Sequence, residues 1–262
     1  MKRIIFLFLA IAVFGVACIK LDAVPTPEIP PTLPPVTPTV DSLKIGLLAY
    51  YTFNGSVVDS SGKSNHGVAA NVTYTTDRNN KVNSALQFNG LSSNVVVKDK
   101  LDLRLNSIDF TLSVWVNLDA YNASYGSEIL CKRGTGSKNG WNYSLNGNAI
   151  SNGGAVGATS FQLSGGTDTL AAGIKPIALN QWHMLTTVYD FNKKQISYYI
   201  DGVLDNTAIK IPTPVRTANA DLYIGADSQS FSYLLKGKLD EVRIYNRALT
   251  AAQVKKLYAV TN

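Results

Sequence analysis

Few side chains in this sequence are equipped for chemistry, and their spacing narrows what they could do. Hydrolysis of a glycosidic bond needs two carboxyl groups flanking that bond. The chain has only three glutamates, Glu28, Glu128 and Glu241, and they fall in different segments. Asp201 and Asp205 are close in sequence but straddle an Asp-Gly turn. The only histidines are His66 and His183, and no Gly-x-Ser-x-Gly elbow offers a serine to either. The pattern argues against an enzyme, with a divergent glycoside hydrolase kept as the weakest of the alternatives.

Asp240 is the carboxylate that asks for an explanation. It lies in Gly237-Lys238-Leu239-Asp240-Glu241-Val242-Arg243-Ile244-Tyr245, where Val242 and Ile244 alternate with Arg243 and Tyr245 as in a sheet strand. Thr250-Ala251-Ala252-Gln253 follows, with the Thr-x-x-Gln form of a capping box opening a short helix. A charge beside an apolar run needs a cation such as Arg243 or Lys238, turn amides, or a metal. The loop Asp59-Ser60-Ser61-Gly62-Lys63-Ser64-Asn65-His66-Gly67 is also rich in oxygen donors. That composition is what Asx turns and left-handed positions require, so it reads as structural, with His66 donating to a backbone carbonyl.

These residues must be positioned by a domain that begins well inside the chain. Lys2-Arg3 precedes an apolar Ile4–Val16 run too short to span a bilayer, so residues 1–17 read as a signal peptide. Cys18, after Gly15 and Ala17, resembles a bacterial lipobox cysteine, although Gly15 stands where a branched aliphatic residue is usual. The expectation is a lipidated Cys18 in the bacterial cell envelope, an outer-membrane lipoprotein facing the surface or the periplasm. The alternatives are an ordinary secretion signal and an uncleaved anchor. Residues 18–43 carry seven of the ten prolines, between Pro25 and Pro38, and read as a polyproline-II tether. Cys131 is the only other cysteine, so a lipidated Cys18 leaves no intramolecular disulfide, and Cys131 reads as a buried, inert thiol. Net charge is +6 and falls to +4 once Lys2 and Arg3 are removed. The charges are scattered, which argues against a nucleic-acid partner and against membrane contact beyond the lipid.

Residues 44–262 read as strand after strand: 46–53, 85–89, 94–97, 110–118, 127–132, 141–145, 161–163, 182–189, 195–200, 222–224 and 239–245. Asn54-Gly55, Asn89-Gly90, Asn139-Gly140, Asn146-Gly147 and Asp201-Gly202 supply turns. Without a βαβ rhythm, the fold class is all-β, an antiparallel two-sheet sandwich with a short C-terminal helix.

The order of several segments is then informative. Leu48–Gly55, Asp59–Gly67, Ala85-Leu86-Gln87-Phe88-Asn89-Gly90, Phe110–Val116, Gln181-Trp182-His183-Met184, Tyr199-Ile200-Asp201-Gly202 and the Asp240 segment together resemble the laminin-G-like domains of the concanavalin A-like lectin/glucanase superfamily. The resemblance covers essentially all of 44–262 and implies a jelly roll that often carries one structural calcium. Carried over, it makes Asp240 a calcium ligand and Gly90 a carbonyl donor, with Phe53 or Asn54 as a third. Asn54 stands where relatives often have Asp.

A saccharide ligand would stack on exposed rings. Trp115 and Trp182 read as packing residues. Trp141 and Tyr143, after the Gly134–Gly140 loop, and Tyr121, Tyr125, Phe231 and Tyr233 in the rim loops, with Asp227 as a polar neighbour, are the candidate ligand-binding set; the alternative is that these rings pin the loops to the sandwich. The functional expectation is a surface-anchored, non-catalytic module for carbohydrate, with calcium as a candidate structural aid. The alternative is an adhesion module for an extracellular protein.

Overall fold

The computed structural model describes residues 41–123, 126–134, 139–148, 154–165, 168–211, 219–227 and 232–261. Among the described residues, fifteen strands and a short 3-10 helix (Leu101–Arg104) precede one α-helix: β1 (Leu47–Tyr51), β2 (Gly67–Ala70), β3 (Thr73–Thr75), β4 (Ala85–Asn89), β5 (Asn94–Val97), β6 (Phe110–Leu118), β7 (Gly126–Arg133), β8 (Asn139–Asn146), β9 (Thr159–Gly165), β10 (Asp168–Ala172), β11 (Trp182–Asp190), β12 (Gln195–Ile200), β13 (Val203–Ile209), β14 (Leu222–Ile224), β15 (Lys236–Tyr245) and α1 (Ala251–Thr261). The eight-stranded sheet runs β13-β12-β11-β6-β15-β4-β3, with β1 also paired to β15. The seven-stranded sheet runs β10-β9-β8-β7-β14-β5-β2. The pairings recorded between these strands are all antiparallel, which gives the expected sandwich.

Alternation along the strands decides what lies between the sheets. Leu112, Val114, Val116 and Leu118 of β6 join Leu239, Val242 and Ile244 of β15 and Trp141, Tyr143 and Leu145 of β8 in one core cluster. The opposite phase of the eight-stranded sheet, with Trp115, Met184, Val188, Tyr199 and Tyr245, is apolar as well. It is covered by Val254 and Leu257 of α1 and by Leu43, Leu47 and Leu249. The helix starts on the expected capping box: the Gln253 amide donates to Thr250 Oγ1 at 3.3 Å, and the Thr250 amide donates to Gln253 Oε1 at 3.0 Å.

The segment around Asp240 changes neighbours half-way. Lys236–Leu239 pair with β4, whereas Val242–Tyr245 pair with β1. Between these halves the register against β6 shifts, and Glu241 adopts a left-handed φ of 54°. This bulge lets one strand serve two partners.

The domain begins earlier than residue 44. The Leu43 amide is bonded to Asp41 Oδ1, Ser42 O accepts from Arg247, and Leu43 is buried in the cluster beneath α1. Strands β2, β3, β10 and β13 are additions to the sequence reading. β2, β3 and β13 are largely solvent-facing, so they lack the inward apolar phase that marks a strand.

Candidate functional site

Asp240 is 2% exposed, and both its oxygens are engaged. Oδ1 accepts the Glu241 amide at 2.7 Å, and Oδ2 accepts Arg78 Nη1 at 2.5 Å. Arg78 also lies 4.7 Å over the Trp115 ring and donates to Thr261 O. Trp115 in turn donates to Thr261 Oγ1 at 3.0 Å and stacks on Tyr258. Burial, followed by the neighbouring Glu241 carboxylate, raises Asp240 to about 7, against the pull of Arg78. The cation Asp240 needs is therefore neither Arg243 nor Lys238. Arg243 pairs with Glu241 instead.

The other members of the calcium set do not join Asp240. Gly90 follows Asn89, which faces Lys236, so it lies roughly 17 Å along the ladder from Asp240 at about 3.3 Å per residue. Gly90 has φ 72° in a turn where Asn89 Oδ1 accepts the amides of Leu91, Ser92 and Ser93. Phe53 is fully buried in the core, and its carbonyl accepts the Gly55 amide. Asn54 is exposed and accepts Lys81 Nζ at 3.1 Å. Among the described residues no group of three or more His, Cys, Asp or Glu comes together to hold a metal. These four residues do not fit a calcium site.

The aromatic set is corrected too. Trp141 and Tyr143 are fully buried between the sheets, with Trp141 Nε1 donating to Leu103 O at 3.2 Å. They alternate with Asn142 and Ser144, so β8 turns both rings inward. Tyr121 packs against the core edge and donates to Ile177 O at 2.6 Å. Its ring presses on Gly157, whose φ of 78° and absent Cβ leave room that any side chain would fill at 2.4 Å. Tyr233 is half-buried, and its carbonyl accepts the Glu128 amide at 2.8 Å. Tyr125, Phe231 and Cys18 lie outside the described residues.

The Asp59 loop is structural, as expected, but His66 works in the opposite sense. Its Nδ1 accepts the Asp59 amide at 3.2 Å. Asp59 collects the amides of Tyr50, Ser61 and Asn65 and the Ser61 hydroxyl. Burial opposes its ionisation, but these bonds together hold its carboxyl below the usual range. Fixing this loop against β1 leaves a cleft of about 550 Å³, lined among others by Tyr50, Ser60, Ser61, Gly62, Arg243 and Lys44. Arg243 lies 4.0 Å over the Tyr50 ring, and the Tyr50 hydroxyl donates to Glu241 Oε2 at 2.8 Å. The cleft thus combines an oriented ring, hydroxyls and backbone, and its main cation is already neutralised by Glu241.

A second polar group lies on the outward phase of the seven-stranded sheet. Glu128 faces Ser144 across the ladder and accepts Asn142 Nδ2 at 2.7 Å. Burial raises Glu128 to about 8, further helped by the charge of Asp227 and resisted by Asn142 and Arg133. Glu128, Asn142, Ser144, Asn146 and Asp227 are each no more than 6% exposed, so they form no open platform for a sugar. The alternation that would have grouped Asn142, Ser144 and Asn146 was readable in the sequence. The approach of Glu128 and Asp227 was not, because it depends on the pairing of β7 with β14.

This two-sheet arrangement has well-defined relatives. A laminin-G-type family profile, described as the concanavalin A-like lectin/glucanases superfamily, matches residues 88–255. The chain belongs to this superfamily. Its structural neighbours include domain 4 of AbnA, an extracellular GH43 arabinanase of Geobacillus stearothermophilus, solved with arabinotriose. That domain is 23% identical at a TM-score of 0.62, covering 81% of this chain and 98% of the domain. The binding domain of Paraclostridial Mosquitocidal Protein 1 is 18% identical at a TM-score of 0.67, over 84% of this chain and 53% of that one. The binding domain of botulinum neurotoxin DC, solved with rat synaptotagmin II, is 14% identical at 0.64, over 84% and 53%. The chain therefore spans about half the length of those toxin domains. No match was found among curated protein sequences.

Proposed function

We propose that this chain is a non-catalytic binding module of the superfamily that takes a neutral saccharide in the cleft between β1, the Asp59 loop and α1. The observation that carries the reading is the cleft itself. It places Tyr50 beside the loop of Ser60, Ser61 and Gly62, with Arg243 fixed over the ring. An apolar ring with a few convergent polar groups is the usual composition of a small-ligand site. Arg243 is paired with Glu241, and the other cation of the lining, Lys44, shares it with Asp41, so an anionic ligand gains little there. The arabinotriose complex of the AbnA domain supports a sugar ligand on this fold. Among the described residues lining the cleft Asp41 is the one carboxylate, which supports binding without the flanking pair that hydrolysis needs. Lipidation of Cys18 would hold the module at the cell envelope, with the proline-rich residues as its spacer. A glycan array probed with the full chain tests the ligand class. Retention of at least one neutral saccharide is expected, and a blank array would overturn the reading.

A protein partner is the second reading, favoured by the open edge of β13. Val203, Leu204 and Ile209 are 66%, 51% and 64% exposed along a strand that, among the described residues, pairs only with β12. An edge of this kind can accept another strand.

A further inference from the structure

We propose that Glu128, Asn142 and Asp227 form a site for a hard divalent cation, best matched by calcium, on the outward face of the seven-stranded sheet. The site is separate from the cleft and does not depend on what the cleft binds. Three adjacent segments bring the donors together. Glu128 comes from β7, Asn142 from the neighbouring β8, and Asp227 from the residues just beyond β14, where the Gly225 amide donates to Ile129 O at 3.0 Å.

Two of the donors have spare oxygens in a place where spare oxygens are expensive. Glu128 is 5% exposed and Asn142 is 4% exposed. Glu128 Oε1 takes the Asn142 amide at 2.7 Å, but Glu128 Oε2 and Asn142 Oδ1 have no hydrogen-bond partner among the described residues. A buried acceptor left unpaired is destabilising, so such atoms call for a water or an ion as partner. Asp227 is 5% exposed, and its charge acts on Glu128. Arg133 is the basic side chain whose charge also bears on Glu128, and its Nη1 is bonded to Gln162 Oε1 at 3.2 Å.

The donor chemistry selects the ion. Carboxylate and amide oxygens without imidazole or thiolate suit calcium rather than zinc or copper. Backbone carbonyls and water complete such a shell in other proteins. With only two acids, affinity belongs in the weak range of extracellular modules, about 10⁻⁴ to 10⁻³ M.

The test is calcium titration of the chelator-stripped full chain by calorimetry, with the melting temperature followed in parallel. At about 10 mM calcium the melting temperature should rise by roughly 3–10 °C. Glu128→Gln, which keeps the shape and removes the charge, should abolish the rise. Asn142→Ser should weaken binding at least about tenfold, the loss of one good ligand contact. Asp240→Asn should leave the calcium response intact. Absence of heat and of any shift up to 10 mM calcium, or an undiminished response in both Glu128→Gln and Asn142→Ser, would overturn the assignment. Loss of the response in Asp240→Asn alone would place the ion elsewhere and overturn it equally.

Discussion

Replacing Arg78 by alanine is the most revealing single change in the framework of this domain. Arg78 reaches across from the loop before β4 to Asp240, to the Trp115 face and to the last turn of α1. Its removal leaves Asp240 at 2% exposure with the Glu241 amide and no cation. Breaking a buried ion pair from one side costs about 3–5 kcal/mol when the remaining group stays charged. Asp240 has an escape, because its carboxyl already sits near 7 and can take up a proton. At pH 5 the carboxyl is neutral with or without Arg78, so the variant loses mainly the ring contact and one hydrogen bond, about 1–2 kcal/mol. At pH 8.5 the uncompensated carboxylate adds its own penalty, and the loss should approach the full 3–5 kcal/mol. For a domain of this size that is roughly 6–20 °C in melting temperature. Urea denaturation of wild type and Arg78→Ala at both pH values measures the difference. Adding Asp240→Asn to the variant should recover most of the loss at pH 8.5. A loss equal at the two pH values, or below about 1 kcal/mol at pH 8.5, would refute the ion-pair account.

Three further outcomes follow from the same geometry. Glu128 has a folded pKa raised to about 8, so the folded state binds its proton more tightly than the unfolded state does. Wild-type stability should therefore fall as pH rises from about 4.5 to 8 in chelator, and Glu128→Gln should lessen that slope, leaving the share that Asp240 contributes up to about pH 7. Trp141→Ala should destabilise by about 3–5 kcal/mol through a core cavity and leave saccharide affinity unchanged in folded protein, checked by denaturation and by titration of any array hit. Cys18→Ala should move the protein from the membrane fraction to the soluble fraction of cells, and retention in the membrane would contradict lipid anchoring.

How much of this was legible in the sequence depends on the range of each interaction. The strands Ala85–Asn89, Asn94–Val97, Phe110–Leu118, Gln195–Ile200 and Leu222–Ile224 match the alternation that announced them, because inward phase and pairing reinforce each other. The capping box at Thr250 is local and appears as read. Asp240 was recognised as an anomalous charge, yet its partner stands 162 positions away, beyond any spacing rule. The same limit separated Gly90 from Asp240: both border the β4–β15 ladder, but at distant rungs. Trp141 and Tyr143 misled because they follow a turn-rich segment. Their alternation with Asn142 and Ser144 already carried the inward phase. The cleft at Tyr50 could not be anticipated, since it arises from three separated segments meeting beside β1.

The central claim is that the Tyr50 cleft binds a saccharide. Its most direct test compares the affinity of the wild-type chain with that of Ser60→Trp for a saccharide retained on the array. Ser60 is exposed at the cleft wall, so an indole there should fill the cleft without disturbing the core. Ser60→Trp should weaken binding by at least about a hundredfold, the roughly 2.7 kcal/mol of a lost central contact, at an unchanged melting temperature. Equal affinity in the two proteins would contradict it.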